Sequence, residues 1–421
     1  MKDSTTTLDI LQDLIRLETQ NPPGNEKVLV AYIKSYCDQL GVESTVFTYE
    51  GNRSNILIRM GIANGRNLVV LGHTDVVTAE PDLWTYDPFA AEIHDGYLYG
   101  RGALDMKYFI ATALSVMKTL KQNEANLKRQ VIFLFTADEE TGSSYGLPRV
   151  LQEPGIAEDI ANSFVLNEGG GFSVFNQQAC HYLYETGQKS VCAIRVTIPE
   201  SPDTNPYFPD LRHEKLVFEV IKRLEAMDLD ESIPDTIRAL QMVFPEQDPA
   251  TERLIATMSS SMVTATVVKG GSRNPDLPIG VKATIDFDCR LLPHISRSYF
   301  EDKVSNALDG LPVSVEILRY SQGYEAQVGD NLVGLLEQVL KRHDPDILSL
   351  LPFITPGSND GKYLLPLGCD VIGFAPLAKE QSFPEIMPLI HGIDERISLD
   401  SIAFCTNVIT DVCVEYLTGD V

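Results

Sequence analysis

The sequence predicts an α/β protein. A mixed, mainly parallel sheet flanked by helices is interrupted by an inserted ferredoxin-like α+β domain. Three observations predict this: strand and helix signals alternate from the first residues, the rhythm changes near Lys189, and it resumes after about residue 323. Alternation of apolar strands with amphipathic helices is the pattern of a sheet covered on both faces. The order in the middle stretch, β-α-β-β-α-β, is the split βαβ arrangement of a ferredoxin-like sandwich. At 421 residues the chain is also long for a single core, which favours two domains. The larger domain is expected at 1–186 and 324–421, and the insertion at 187–323.

The elements follow in order. Leu8, Leu11, Leu14 and Ile15 recur at helical spacing, and "VLVAYIKSYCDQLG" repeats the pattern until Gly41 stops it. "STVFTY", "NILIRM", "NLVVLG", "QVIFLFTA" and "SFVLN" read as strands, the last three apolar enough to be buried on both faces. Between two of them, "MKYFIATALSVMKTLKQ" has the length and spacing of a helix. In the insertion "KSVCAIRVTI" is a strand, "EKLVFEVIKRLEAM" a helix, "SMVTATVVKGG" and "KATIDFDCRLL" strands, "RSYFEDKVSNAL" a helix and "VSVEILRY" a strand. Afterwards come "NLVGLLEQVLKRH", "LSLLPF", "DVIGFAPL" and a long helix from about Ser398.

Composition narrows the partners. A net charge of −25, from 34 basic and 59 acidic side chains, argues against nucleic acid and anionic membrane surfaces, which repel such a field. No stretch approaches the roughly 20 apolar residues that span a bilayer. The N-terminal stretch lacks an apolar signal core, and the seven cysteines are scattered without a CxxC pair. A cytoplasmic chain with reduced thiols is expected.

The chemistry-bearing residues sit where apolar segments end. The run from Asn67 to Leu71 closes with Gly72 and then sets His73 and Asp75 two residues apart on one side of a strand. One reading is a core histidine held by an acid, and the other is a metal ligand beside its orienting carboxylate. Asp105 lies in "YGRGALDMK" ahead of a helix, Glu139 and Glu140 in "TADEETGSSYG", Glu168 in "LNEGGG" and His391 in "HGIDERI". Ligands collect beyond the carboxyl ends of strands in open α/β sheets. Singly, each has a structural alternative: a helix cap, a solvated acidic turn, a Gly-rich loop, a surface histidine. Together, with almost no Lys or Arg nearby, they form a cluster that asks for cations, and imidazole plus carboxylate suits Zn²⁺, with Co²⁺ or Mn²⁺ as alternatives.

These stretches, with "TQNPPGNE", "GGSRNPDLPIGVKATIDFDCRLLP" and "TPGSNDGKYL", resemble in order and over nearly the whole chain the motif series of a di-zinc metallopeptidase and amidohydrolase family. That family includes acetylornithine deacetylase, succinyl-diaminopimelate desuccinylase, aminoacylase and glutamate carboxypeptidase. The resemblance implies a catalytic domain carrying two Zn²⁺ and an inserted lid domain that also serves dimerisation. It implies His73 and Glu168 as terminal ligands of one metal, Glu140 and His391 of the other, and Asp105 as the bridge. Asp75 would orient His73, and Glu139 would be the general base. Two metals about 3.5–4 Å apart would share a water whose proton Glu139 takes as the hydroxide attacks an amide carbonyl, and Glu139 would then protonate the departing amine. The peptide after the bridging aspartate is cis in the family, which implies the same at Asp105–Met106.

The sequence departs from the family in two places. A "GHxS"-like segment usually supplies an oxyanion-binding histidine, whereas "RVTIPESPDTNPYFPDLRHEK" places Asp203 there, with His213 only later. In "DMKYFI", Tyr108 and Phe109 stand where glycines are common, which would reshape the pocket floor. Asn274 and Arg290 match positions that bind a substrate carboxylate, although Arg290 equally suits pairing with Asp288. Ser358, Asn359 and Asp360 are read either as pocket lining or as a helix N-cap. The expectation is a zinc-dependent hydrolase cleaving the amide of an N-acyl amino acid or small peptide with a free carboxylate, whose exposed lid-strand edges suit a homodimer through the lid. The alternative is a metal-binding protein on the same scaffold with little or no hydrolytic activity.

Overall fold

The computed structural model describes residues 5–199, 211–229, 238, 240, 243, 255–270, 277 and 281–419. The chain divides into two compact units, one of residues 1–186, 326–352 and 359–421, the other of residues 187–325 with 353–358.

Its strands, in chain order, are β1 (Ser44–Thr48), β2 (Ser54–Gly61), β3 (Leu68–His73), β4 (Ile93–His94), β5 (Tyr97–Tyr99), β6 (Gln130–Thr136), β7 (Phe164–Asn167), β8 (Phe172–Asn176) and β9 (Ala179–Gln188). Then come β10 (Ser190–Pro199), β11 (Met262–Gly270), β12 (Val281–Leu291), β13 (Ser314–Ser321) and β14 (Tyr324–Glu325). The last are β15 (Ile347–Thr355), β16 (Asp370–Gly373) and β17 (Arg396–Ser398).

In the first unit the main sheet runs β1-β2-β6-β3-β7-β16-β9. The pairs β6–β3, β3–β7 and β7–β16 are parallel, while β1–β2, β2–β6 and β16–β9 are antiparallel. The sheet is mixed, as the apolar runs predict, with its parallel pairs confined to the central strands β6, β3, β7 and β16. Every residue of β3 and β7 is buried, as expected of strands covered on both faces. Val69 and Leu71, Ile132 and Leu134, and Val165 share one face with Leu147, Val150, Ile156 and Ile160. Each such side chain contributes about 1.5–3 kcal/mol on leaving water. Helix Thr7–Arg16 starts with a Thr6/Asp9 capping box and buries Ile10, Leu11, Leu14 and Ile15. Helix Glu26–Leu40 ends at Gly41, whose φ of 65° is the left-handed cap that glycine adopts without strain. A separate small sheet, β17-β5-β4, is absent from the sequence-level reading, as are β8 and β9.

In the second unit the strand order is β11-β12-β10-β13, all antiparallel. Alternate residues of β10 (Cys192, Ile194, Val196, Ile198) and β12 (Ala283, Ile285, Phe287, Cys289) point into one core. Helices Leu211–Glu225 and Arg297–Ala307 cover it through Val220, Leu224, Phe300 and Val304. On the opposite face Arg195 pairs with the directly opposed Asp286 at 2.6 Å. All seven cysteines are free and buried. Among the described residues no helix is long and apolar enough to cross a membrane.

Candidate metal centre

The register of three parallel strands builds the site. β3 lies between β6 and β7, with His73 opposite Thr136 and Val70 opposite Leu166. Their carboxyl ends therefore emerge side by side. His73 closes β3, Glu139 and Glu140 follow β6, and Glu168 follows β7.

Each chain exit is held in a particular shape. After β6, Asp138 takes a left-handed conformation (φ 70°) and opens the 3-10 turn Glu139–Thr141, a backbone state open to Asp because its side chain bonds locally. Its carboxylate accepts hydrogen bonds from Arg53 at 2.7 Å, Asn21 at 3.0 Å and the Tyr145 amide at 3.0 Å. After β7, Gly169 has φ 101°, and a Cβ there would lie 2.1 Å from Oε2 of the buried Glu185. Only glycine lets the chain turn so tightly behind Glu168. Asp105 precedes helix Lys107–Gln122, across a cis Asp105–Met106 peptide. His391 lies in the loop before β17, with φ 60°. Pairing of β17 with β5 draws residues 391–395 alongside residues 100–105.

The resulting geometry centres on Asp105. Its Oδ1 lies 3.0 Å from Nε2 of His73, and its Oδ2 lies 3.0 Å from Nε2 of His391. Glu168 stands 3.4 Å from His73, and Glu140 stands 3.1 Å from His391. Ligand atoms of His73, Asp105 and Glu140 lie within 4.8 Å of one another, as do those of His73, Glu139 and Glu168. The five sequence-predicted ligands and Glu139 are thus brought together.

Asp75 is at the centre too, with more contacts than the one expected. The ring Nδ1 of His73 bonds the Asp75 backbone carbonyl at 2.9 Å. The Asp75 carboxylate accepts from the amides of Glu139 (3.1 Å) and Glu140 (3.2 Å) and from Asn21 (2.8 Å). One of its oxygens also lies 3.6 Å from Nδ1 of His73, so Asp75 faces His73 with both its main chain and its side chain while its carboxylate holds the turn of Glu139–Glu140.

The electrostatics fit a bound cation. Burial pushes Glu139 well above the carboxylate range and carries Glu168 up to about 7. Burial and the neighbouring Asp105 also raise Glu140. Burial opposes charge on His73, yet Glu168 and Asp105 raise its imidazole well above the ordinary value. Hydrogen bonds to Asp105 and Glu140 carry His391 up to about 11. Burial works against Asp105 as well, but the two imidazoles hold its carboxyl far below the usual range. The acids thus draw positive charge onto two imidazoles, a charge that divalent cations supply while using the same nitrogens as ligands. Oε1 of Glu140 is buried without a hydrogen-bond partner, an acceptor that a metal would satisfy. The imidazole and carboxylate donors fit Zn²⁺, Co²⁺ or Mn²⁺.

Three buried cations surround the site, and sequence reading missed all three. Arg53 bonds Asp138 and Glu26. Arg101 pairs with Glu395. Lys107 donates to the carbonyls of Leu14 and Leu17 at 3.0 and 2.8 Å, tying the end of helix Thr7–Arg16 to the Asp105 loop. Among the described residues none of them ion-pairs with the six clustered side chains.

The remaining expectations divide. Tyr108 and Phe109 are core residues, the Tyr108 hydroxyl bonding the Ala375 carbonyl at 2.7 Å. Asn359 donates to Glu185 at 2.6 Å and caps Gly361, while Asp360 accepts from Thr136 and Ser143. Both are buried, which matches the helix-cap reading of that turn. Arg290 and Ser358 belong to the second unit, where Arg290 pairs with Asp288 at 2.9 Å and donates to the Pro356 carbonyl. Asn274, Asp203 and the His213 side chain lie outside the described residues.

The chain is similar to known proteins over most of its length. The model of peptidase family M20/M25/M40 matches residues 69–415. Pig (Sus scrofa) aminoacylase-1 is 24% identical over 405 residues, 93% of this chain and 90% of its own. A probable succinyl-diaminopimelate desuccinylase of Staphylococcus aureus is 23% identical, covering 97% of both chains. Among solved structures, an M20 family metallo-carboxypeptidase from Sulfolobus solfataricus superposes with a TM-score of 0.72 at 16% identity, over 97% of this chain and 98% of that one.

Proposed function

The chain belongs to peptidase family M20/M25/M40, hydrolases of amide and peptide C–N bonds, and on that premise we propose that it cleaves N-acyl amino acids or small peptides bearing a free carboxylate, using two divalent ions, zinc first among them. The observation that carries this reading is Asp105, whose two carboxylate oxygens face different histidines at 3.0 Å each. His73 and Glu168 would hold one ion and His391 and Glu140 the other, with Asp105 facing both. Ions held there would supply an activated water and polarise the scissile carbonyl.

The protein's own residues do the rest. Glu139 is anchored at its backbone by Asp75, and burial raises its carboxyl well above the ordinary range. A carboxylate placed there would take the proton of the attacking water and return it to the leaving amine. Asp75 keeps the base and its neighbour Glu140 in register by accepting both amides. Asn274, Arg290 and Ser358 are assigned to the substrate, with the Arg290 guanidinium matched to its carboxylate. Similarity to an aminoacylase and a metallo-carboxypeptidase supports this substrate class. Seven free cysteines support a reducing, cytoplasmic setting. A homodimer through the second unit completes the reading.

The test is to incubate zinc-loaded protein with N-acetyl and N-succinyl amino acids and dipeptides, with and without chelator, and to measure free amine. Chelator-sensitive release is expected, and the best substrate separates deacylase from peptidase. No release by protein holding two metals per chain would overturn the proposal in favour of an inactive metal-binding protein.

A further inference from the structure

We propose that the buried Arg101–Glu395 pair sets the spacing between Asp105 and His391, so that both members are positioning residues for the metal that His391 holds. The inference rests on the two-ion reading of the site. Asp105 and His391 reach the centre from segments far apart in sequence, and neither sits within a strand or helix. His391 is the more exposed of the two, at 51% of its side chain against 17%. Something must therefore fix one against the other.

The pair does so reciprocally. Glu395, from the His391 segment, accepts from the backbone amides of Leu104 (2.7 Å), Asp105 (3.0 Å) and Gly102 (3.1 Å). Arg101, from the Asp105 segment, donates to the backbone carbonyls of Gly392 (3.0 Å) and His391 (3.3 Å). The two close on each other at 2.6 Å, with side chains 4% and 0% exposed. The Trp84 ring, 5.2 Å from the guanidinium carbon, covers the pair. A buried ion pair adds little net stability compared with apolar packing, and fixing registry is its best-attested use. Here each charge holds the main chain of the other's segment. Lys107, the other buried cation of this loop, anchors helix Thr7–Arg16 and leaves His391 untouched.

The experiment titrates metal-free protein with Zn²⁺ against a chromophoric chelator, resolving two affinities, with Co²⁺ absorption as a second readout. Arg101→Lys keeps a cation beside Glu395 but lacks the second nitrogen with which Arg101 reaches the two carbonyls while holding Glu395. It is expected to weaken one of the two sites by about 10–100-fold, the usual scale for residues that orient ligands. That site is the one His391→Ala abolishes. The other site and the thermal midpoint of the metal-free protein stay near wild type. Glu395→Gln, which keeps the shape but sets an amide against three N–H donors, should weaken the same site further. Should Arg101→Lys fail to fold, Glu395→Gln decides alone. Unchanged affinities, or equal loss at both sites, would overturn the proposal, as would a wild type that binds only one Zn²⁺. A wild type that binds two Zn²⁺ but cleaves no amide defeats the proposed function, while the affinities still decide the spacing role.

Discussion

Replacing Glu26 with glutamine should stabilise the protein at pH 8 and leave it nearly unchanged at pH 4. Glu26 opens helix Glu26–Leu40 and is wholly buried. One nitrogen of Arg53 is shared between it, at 2.8 Å, and Asp138, at 2.7 Å. Burial, and then the charge of Asp75, push the Glu26 carboxyl up to about 7 despite Arg53. The folded state therefore binds this proton more tightly than the unfolded chain does. The stability it contributes is complete below about pH 4.5 and is lost as pH rises through about 7. A rise from 4.5 to about 7 corresponds to about 3 kcal/mol. Urea unfolding of wild type and Glu26→Gln, at one metal concentration from pH 4 to 8.5, isolates this group because other titrations are common to both proteins. The variant should gain about 3 kcal/mol on the wild type across that window and level off above it. A difference that does not vary with pH would refute the reasoning and return Arg53 to Glu26 as a fully paired partner.

Further outcomes follow from the same contacts. Glu139→Gln should lower turnover by about 10²–10⁴-fold while metal content, read by mass spectrometry, stays at the wild-type value; an unaffected rate removes Glu139 from the chemistry. Gly169→Ala must place a methyl at φ 101° against Glu185, whose other oxygen is held by Asn359. It should cost about 2 kcal/mol or more and weaken the metal shared by His73 and Glu168, whereas wild-type metal affinity would mean that the loop holds Glu168 by other means.

Much of this was legible in the sequence because burial writes itself into composition. The β3, β6 and β7 runs are apolar on both faces, and His73, Glu139, Glu140 and Glu168 lie at or just past their ends. The split βαβ order of the second unit was equally plain from strands with strict alternation, such as Cys192, Ile194, Val196 and Ile198. Other parts left no such trace. β9 carries His181, Glu185, Thr186 and Gln188 into the interior, so its polar residues hide a buried strand. β4, β5 and β17 are two or three residues long, too short for any periodicity, although β17 and β5 bring His391 to Asp105. Arg101 and Glu395 stood in the quoted motifs, but their roles depend on contacts between segments 294 residues apart. Asp75 was found by its spacing from His73, while its further contacts with Glu139 and Glu140 depend on a turn whose shape spacing does not encode.

The bridging role of Asp105 is the claim on which the two-ion site turns, and zinc per chain in Asp105→Ala tests it most directly. Because the two oxygens of Asp105 face His73 and His391 separately, its removal should cost both ions. The predicted result is protein, folded by circular dichroism, that retains less than one zinc per chain after dialysis. Two zinc ions retained per chain would contradict the bridge and the site built around it.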